Sequence, residues 1–188
     1  MKCFWYTLML SGLALSLANA ASEQQMVNES KQAIKSFAEQ LQGKLMAGMQ
    51  EGGPVAAIKV CNTAAEEIAS KVSEHYGWKL SRTALKFRNA NNAPEPWQEK
   101  ILKTFEQRQQ KGEAVSNIDH AEVVSINGQS TFRYMKAIPT GGLCLSCHGD
   151  GIAPEISNKL DQLYPDDKAR GFKLGDIRGA FSIVRAID

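Results

Sequence analysis

Apolar residues recur at three- and four-residue spacing between about 23 and 50, where Met26, Ile34, Phe37, Leu41 and Leu45 alternate with Glu, Gln and Lys. That period predicts one long amphipathic helix with an ordinary packing stripe. Met46 and Met49, at its far end, read as part of the same pattern. Gly52-Gly53-Pro54 then breaks the helix, because Gly suits a helix end and Pro a first turn. A second helix follows over roughly Val55 to Ser73. Its inner face carries Ala57, Cys61, Ala64, Ala65, Ile68 and Val72, so Cys61 points inward between small residues. Beyond Tyr76-Gly77-Trp78 the stretch WKLSRTALKF reads as a strand over 79–87, and residues 89–94 as a loop. Trp97, Ile101, Leu102 and Phe105 mark a third helix. In AEVVSINGQSTFRYMKAI two β-prone runs, 121–126 and 130–138, flank Asn127-Gly128, a strong hairpin signal. A short helix from Pro154 to Leu163 and a last strand over 177–186 complete the pattern. The fold class expected is α+β, a single domain with two leading helices and an antiparallel sheet flanked by helices.

The beginning of the chain changes the compartment expected. Lys2 precedes an apolar run, Leu8 to Ala18, that ends in Ala18-Asn19-Ala20, a small-x-small cleavage pattern. Residues 1–20 therefore read as a signal peptide and 21–188 as the mature domain. The apolar run is too short for a comfortable membrane span, which needs about 20 residues, so no span remains after cleavage. Cys3 leaves with the signal. The full chain carries a formal net charge of +2 and no basic run, which gives no indication of nucleic acid.

Of four cysteines, three stay in the mature chain: Cys61, Cys144 and Cys147. An odd number in an exported protein leaves one thiol to bind something or stay free. Residues 144–149 read CLSCHG. A Cys-x-x-Cys pair alone fits a redox dithiol, half a zinc site or a disulfide. Zinc usually takes four protein ligands in paired spacings, and no second pair is present. A redox dithiol belongs to a βαβ context that the pattern lacks. With His148 directly after the second cysteine, the motif is the signature for covalent haem attachment, and export suits it. One haem c is expected, with thioether bonds from Cys144 and Cys147 and iron bound by His148. No Met or His follows His148. A sixth ligand from this chain comes from before the motif or from an unusual donor, with Cys61, His75, His120 and Met135 as candidates and Met26, Met46 and Met49 as outsiders. Arg82, Arg88, Arg133 and Arg178 are candidates to pair with haem propionates, since guanidinium suits carboxylates bidentately.

Four segments in order, AAIKVCNTAAEEIA, RTALKFRNANNAPEPWQ, CLSCHG and YPDDKARGFKLGDIRGAFSI, resemble the bacterial and cyanobacterial c-type haem family with a PAS-like fold. The resemblance covers about residues 30 to 187. It implies that Cys61 is the second axial ligand opposite His148, so that metal-binding falls to His148 and Cys61 and cofactor-binding to these with Cys144 and Cys147. Ala84, Ala90 and Ala93 stand where that family more often has Ser, Pro and Pro.

The function expected is a periplasmic mono-haem redox sensor, with a diatomic gas as a candidate ligand and no catalytic residues. The alternative is an electron carrier between periplasmic proteins. Either reading requires a separate redox or signalling partner.

Overall fold

The computed structural model describes the backbone of residues 10–187 and the side chains of residues 22–187. Helix α1, Leu10–Tyr76, is two helices joined by a kink. Gly53 makes the kink with φ 67° and ψ −164°, a combination that is essentially restricted to glycine. The arms on either side, 10–51 and 54–76, fold back on one another. A Cβ on Gly48 would sit 3.1 Å from Val60 Cγ2 and 3.2 Å from Ala57 Cα, so glycine there lets the two backbones approach. The first arm starts earlier than the expected residue 23, because the Leu- and Ala-rich run ahead of it is itself helix-forming. The expected cleavage after Ala20 concerns side chains outside the described residues, as does all of 1–9.

Strand β1 (Lys79–Thr83) follows, then α2 (Pro96–Gln110), β2 (Asp119–Ile126), β3 (Gln129–Pro139), α3 (Gly142–His148), α4 (Pro154–Leu163) and β4 (Ile177–Ala186). The four strands form one antiparallel sheet in the order β1-β4-β3-β2, so the expected α+β architecture is present. Asn127 and Gly128 both take positive φ, 51° and 83°, as a tight type I′ hairpin turn requires.

Side-chain alternation along the strands divides the core between two faces. Phe132, Tyr134 and Ile183 pack with Ile34, Phe37, Ile68 and Val72 of the hairpin arms. Met135, Ala137 and Ala180 face the other way, onto Ile101, Leu102 and Phe105 of α2. A third cluster joins α4 to the second arm through Ile58, Ile156, Leu160 and Tyr164.

One expected strand is shorter than its sequence suggests. The 79–87 stretch pairs with β4 only as far as Thr83↔Ala180. Ala84 then gives its N–H to the Asn92 carbonyl at 3.1 Å, and the chain leaves the sheet. Residues 84–88 become a loop beside the sheet end, and that loop carries Arg88.

Candidate functional site

Helix α3 displays CLSCH, with Cys144 and Cys147 one turn apart and therefore on one face. Both line a cavity of about 410 Å³, a size usual for small-molecule sites. The glycine that ends the motif is sterically required. A Cβ on Gly149 would lie 2.7 Å from the Leu145 carbonyl oxygen, which accepts the Gly149 N–H at 2.9 Å. Two further backbone bonds clip the motif to the loop after α4. Gly171 donates to Gly149 O at 3.0 Å and Phe172 to His148 O at 2.9 Å.

His148 is prepared by this clip. Its Nδ1 lies 2.8 Å from the Ala169 carbonyl oxygen, and a carbonyl accepts only, so Nδ1 is assigned the proton. Nε2 keeps its lone pair. Burial, then the Arg178 and Arg88 charges, push the imidazole pKa down to about 2, so the ring is neutral at ordinary pH. A neutral imidazole whose other N–H is tied to a carbonyl is the usual preparation for metal binding.

Arg88 and Asp167 hold the arrangement together. Arg88 Nη2 donates to Cys147 O at 2.6 Å and to Ala169 O at 3.1 Å, and Nη1 makes a long 3.5 Å contact with His148 Nε2. Its Nε lies 3.1 Å from Asp167 Oδ1, close enough for an ion pair but not aligned as a hydrogen bond. Asp167 also accepts from Ala169 N–H and Arg170 Nε, each at 2.9 Å. Burial would raise its pKa, but these contacts outweigh burial and hold the carboxyl below its ordinary value.

The opposite wall comes from α1, with Ala57, Ile58 and Cys61 on the second arm and Phe37, Leu41, Leu45 and Met49 on the first. Cys61 is exposed by surface area, yet burial is the largest influence on its thiol and raises its pKa. Both hold because the thiol opens onto a cavity that protein surrounds, and not onto bulk water. Cys61 is therefore not a packed core thiol. Arg82, Arg88, Arg178 and Cys144 all act on it electrostatically, and Cys61 in turn acts on Cys147.

The third wall is the meeting of β1 and β4, with Arg82, Thr83, Arg178, Gly179 and Phe181. Gly179 has φ 151°, and a Cβ there would fall 2.5 Å from the Thr83 carbonyl oxygen. Only glycine lets the strands close at this corner.

The four residues singled out from the sequence, Cys61, Cys144, Cys147 and His148, thus border one cavity. The other ligand candidates lie elsewhere, Met49 excepted. Met135 is fully buried under α2, and Met26 lies in the hairpin core. His75 stacks edge-on against Tyr76 at 4.9 Å, and His120 sits 3.4 Å from Glu122. Among the arginines, Arg133 is away from the cavity, 4.3 Å over the Trp97 ring and 3.5 Å from Glu122. Met49 and Tyr164 do line the cavity, and their places in the sequence pattern assign neither a role. No group of three or more His, Cys, Asp or Glu side chains among the described residues is placed to hold a bare metal ion.

A protein-family model described as Tll0287-like matches residues 14–185. The crystal structure of the cyanobacterial heme-protein Tll0287 is similar to this chain with a TM-score of 0.65 and 22% identity, over 87% of this chain and 96% of that one. At that identity the likeness speaks for the fold. No curated protein matches the sequence.

Proposed function

Since the chain belongs to the Tll0287-like family, we propose that it binds haem, as the relative of solved structure does by its name, and that it holds one haem c in this cavity as a redox sensor. The observation that carries the reading is the convergence of Cys61 with Cys144, Cys147 and His148 on one cavity. The donor set fits the group. Cys144 and Cys147 offer two thiols on one helix face, and His148 offers a neutral imidazole oriented by Ala169 O. Export through residues 1–20 to the periplasm suits covalent attachment.

Bound iron would supply a one-electron couple and a sixth position for a ligand. Cys144 and Cys147 would anchor the group, and His148 Nε2, fixed by the Nδ1 contact to Ala169 O, would hold its iron. Cys61 Sγ, once it lost its proton, would be a thiolate donor, which would favour the oxidised state and a low potential. Burial opposes that thiolate, so Cys61 keeps it only against strong positive charge and takes the proton back when that charge falls. With Cys61 protonated and not held to the group, a diatomic gas would have room to bind on the Cys61 side of the cavity. A separate periplasmic signalling protein would read the change, and no catalytic group is assigned.

Met49 favours a second reading. It lines the same cavity and offers a neutral thioether that would refill the position Cys61 leaves. A position filled in both oxidation states suits an electron carrier between periplasmic partners.

Optical spectra of the ferric and ferrous protein, with and without carbon monoxide, test both readings in the parent and in Cys61→Ser. Haem should stay with the protein through acidified organic extraction, and Cys144→Ala with Cys147→Ala should abolish this. Cys61→Ser should keep its haem, change the ferric spectrum and raise the potential. A variant spectrum identical to the parent's would remove Cys61 from the mechanism. A ferrous parent that refuses carbon monoxide would favour the carrier.

A further inference from the structure

Three arginines, Arg82, Arg88 and Arg178, line the cavity, Arg178 at its border with a second one where it lies 5.2 Å over the Phe172 ring, and they are not equivalent. Arg88 is committed to Asp167 and to the carbonyls of Cys147 and Ala169. The Arg82 side chain has no hydrogen bond and no ion pair among the described residues. It lies 5.4 Å over the Phe37 ring. Arg178 has one weak bond, from Nη1 to the Lys86 carbonyl at 3.4 Å, and its buried Nε has no partner. Both are pulled down in pKa by burial first, Arg178 to about 10 with Arg88 and Arg82 adding to the effect.

The acids nearby do not answer this charge. Asp167 is taken up by Arg88 and Arg170. Glu66 is exposed and accepts from the Asn89 and Asn91 amides at 3.0 and 3.1 Å. Tyr164 and Cys61 act on Arg82 from across the cavity but are neutral in their ordinary forms.

The backbone gives Arg178 its direction. On β3, Ile138 pairs with Gly179 and the next residue, Pro139, pairs with Ile177. Arg178 is therefore the extra residue of a β-bulge, a device that re-aims a side chain. Arg82, opposite Phe181 in the β1–β4 register, reaches the same cavity from the neighbouring strand. Both arginines are partly buried by surface area; a guanidinium withdrawn from water without a carboxylate is costly, and two beside one cavity suit a ligand bearing two anionic groups.

We propose that Arg82 and Arg178 form a carboxylate seat that takes the two propionates of the haem, while Arg88 holds the motif and takes none. The proposal rests on the haem reading above.

The test is a 13C-NMR titration of the ferric holoprotein grown on 5-aminolevulinate that labels the propionate carboxyls. The proteins compared are the parent, Arg82→Gln, Arg178→Gln and, as control, Arg133→Gln. In the parent both carboxyls should stay ionised well below the ordinary carboxyl range, about 4.3 for glutamate. Each cavity variant should raise one carboxyl midpoint by about 1–3 pH units, and the control should raise neither. Ordinary midpoints in the parent, unmoved by either variant, would overturn the seat and leave the haem reading standing. So would a spectral change in Arg82→Gln with no carboxyl shift, which would make Arg82 a partner of Cys61 instead. Absence of any labelled carboxyl after acid–organic washing would overturn covalent haem itself, and the seat with it. Should a glutamine variant fail to fold, the parent titration decides alone, with Arg82→Lys and Arg178→Lys keeping the charge and losing the fork.

Discussion

The two walls that present His148 and Cys61 to the cavity are built on different principles. Behind His148 stands a closed network: Ala169 O on Nδ1, Arg88 on two carbonyls, Asp167 beneath Arg88, and two backbone clips to residues 171 and 172. Nothing comparable holds Cys61. It sits on one arm of a hairpin that turns at Gly52-Gly53, among alanines, and no hydrogen bond to its sulfur appears among the described residues. A side chain fixed by many partners stays where it is when charge on the cavity changes. A thiol held by helix position alone has no hydrogen-bond partner to fix its protonation. The contrast is between a side chain held by many partners and one held by its helix alone.

The largest effect should come from breaking the anchored side. Asp167→Ala leaves Arg88 without its ion pair and takes one of two carboxylates from Arg170, in a pair whose side chains are 10% and 2% exposed. Removing one partner of a buried pair costs about 3–5 kcal/mol. Urea denaturation of the protein should show that loss, and a change below about 1 kcal/mol would mean the network is decorative.

Acid should act on the same side next. The His148 pKa is lower in the folded chain, about 2 against 6.5, so below 6.5 the unfolded state binds the extra proton. In the haem-free chain this contribution is complete above pH 6.5, and falls by about 1.4 kcal/mol per unit as pH drops toward 2. His148→Gln should flatten that part of the pH–stability profile. An unchanged slope would show that the imidazole is hydrated and not held.

The Cys61 side should respond more mildly. Gly53→Ala places a side chain at φ 67° and ψ −164°, at a cost of about 1–3 kcal/mol. It should disturb the ferric spectrum through the arm that carries Cys61 and leave acid-stable haem in place. A spectrum identical to the parent's would mean that the hinge does not govern Cys61.

Much of this arrangement is legible in the amino-acid sequence alone. The breaks at Gly52-Gly53 and Asn127-Gly128 are local chemistry, and both occur where the sequence puts them. The helix from Pro154 to Leu163 is equally local. The motif CLSCHG names three of its own residues, and the family resemblance adds Cys61, which borders the cavity with them. What escapes is set by distant contacts. Residues 84–88 look like strand, but the Ala84 bond to Asn92 takes them out of the sheet. Arg82, Arg88, Arg133 and Arg178 are interchangeable in composition. Only their partners distinguish a committed Arg88, an outlying Arg133 and two cations that lack a carboxylate. Met49 is hard to single out because a methionine on an apolar stripe has the same spacing whether it faces core or cavity.

Strand β4 is the latest of the elements in sequence, yet it lies inside the sheet between β1 and β3. Its pairing Lys79↔Val184 joins residues 105 positions apart (184 − 79), and such distant pairings form slowly. During synthesis the hairpin, both edges of the future gap and the CLSCH helix all emerge ahead of it. Until it inserts, β1 and β3 have open edges and the wall bearing Arg178 and Gly179 has not been assembled. The wall beside Cys144 and Cys147 is therefore completed by the strand that comes latest in the chain, so the cavity takes its final shape only when that long-range pairing is made.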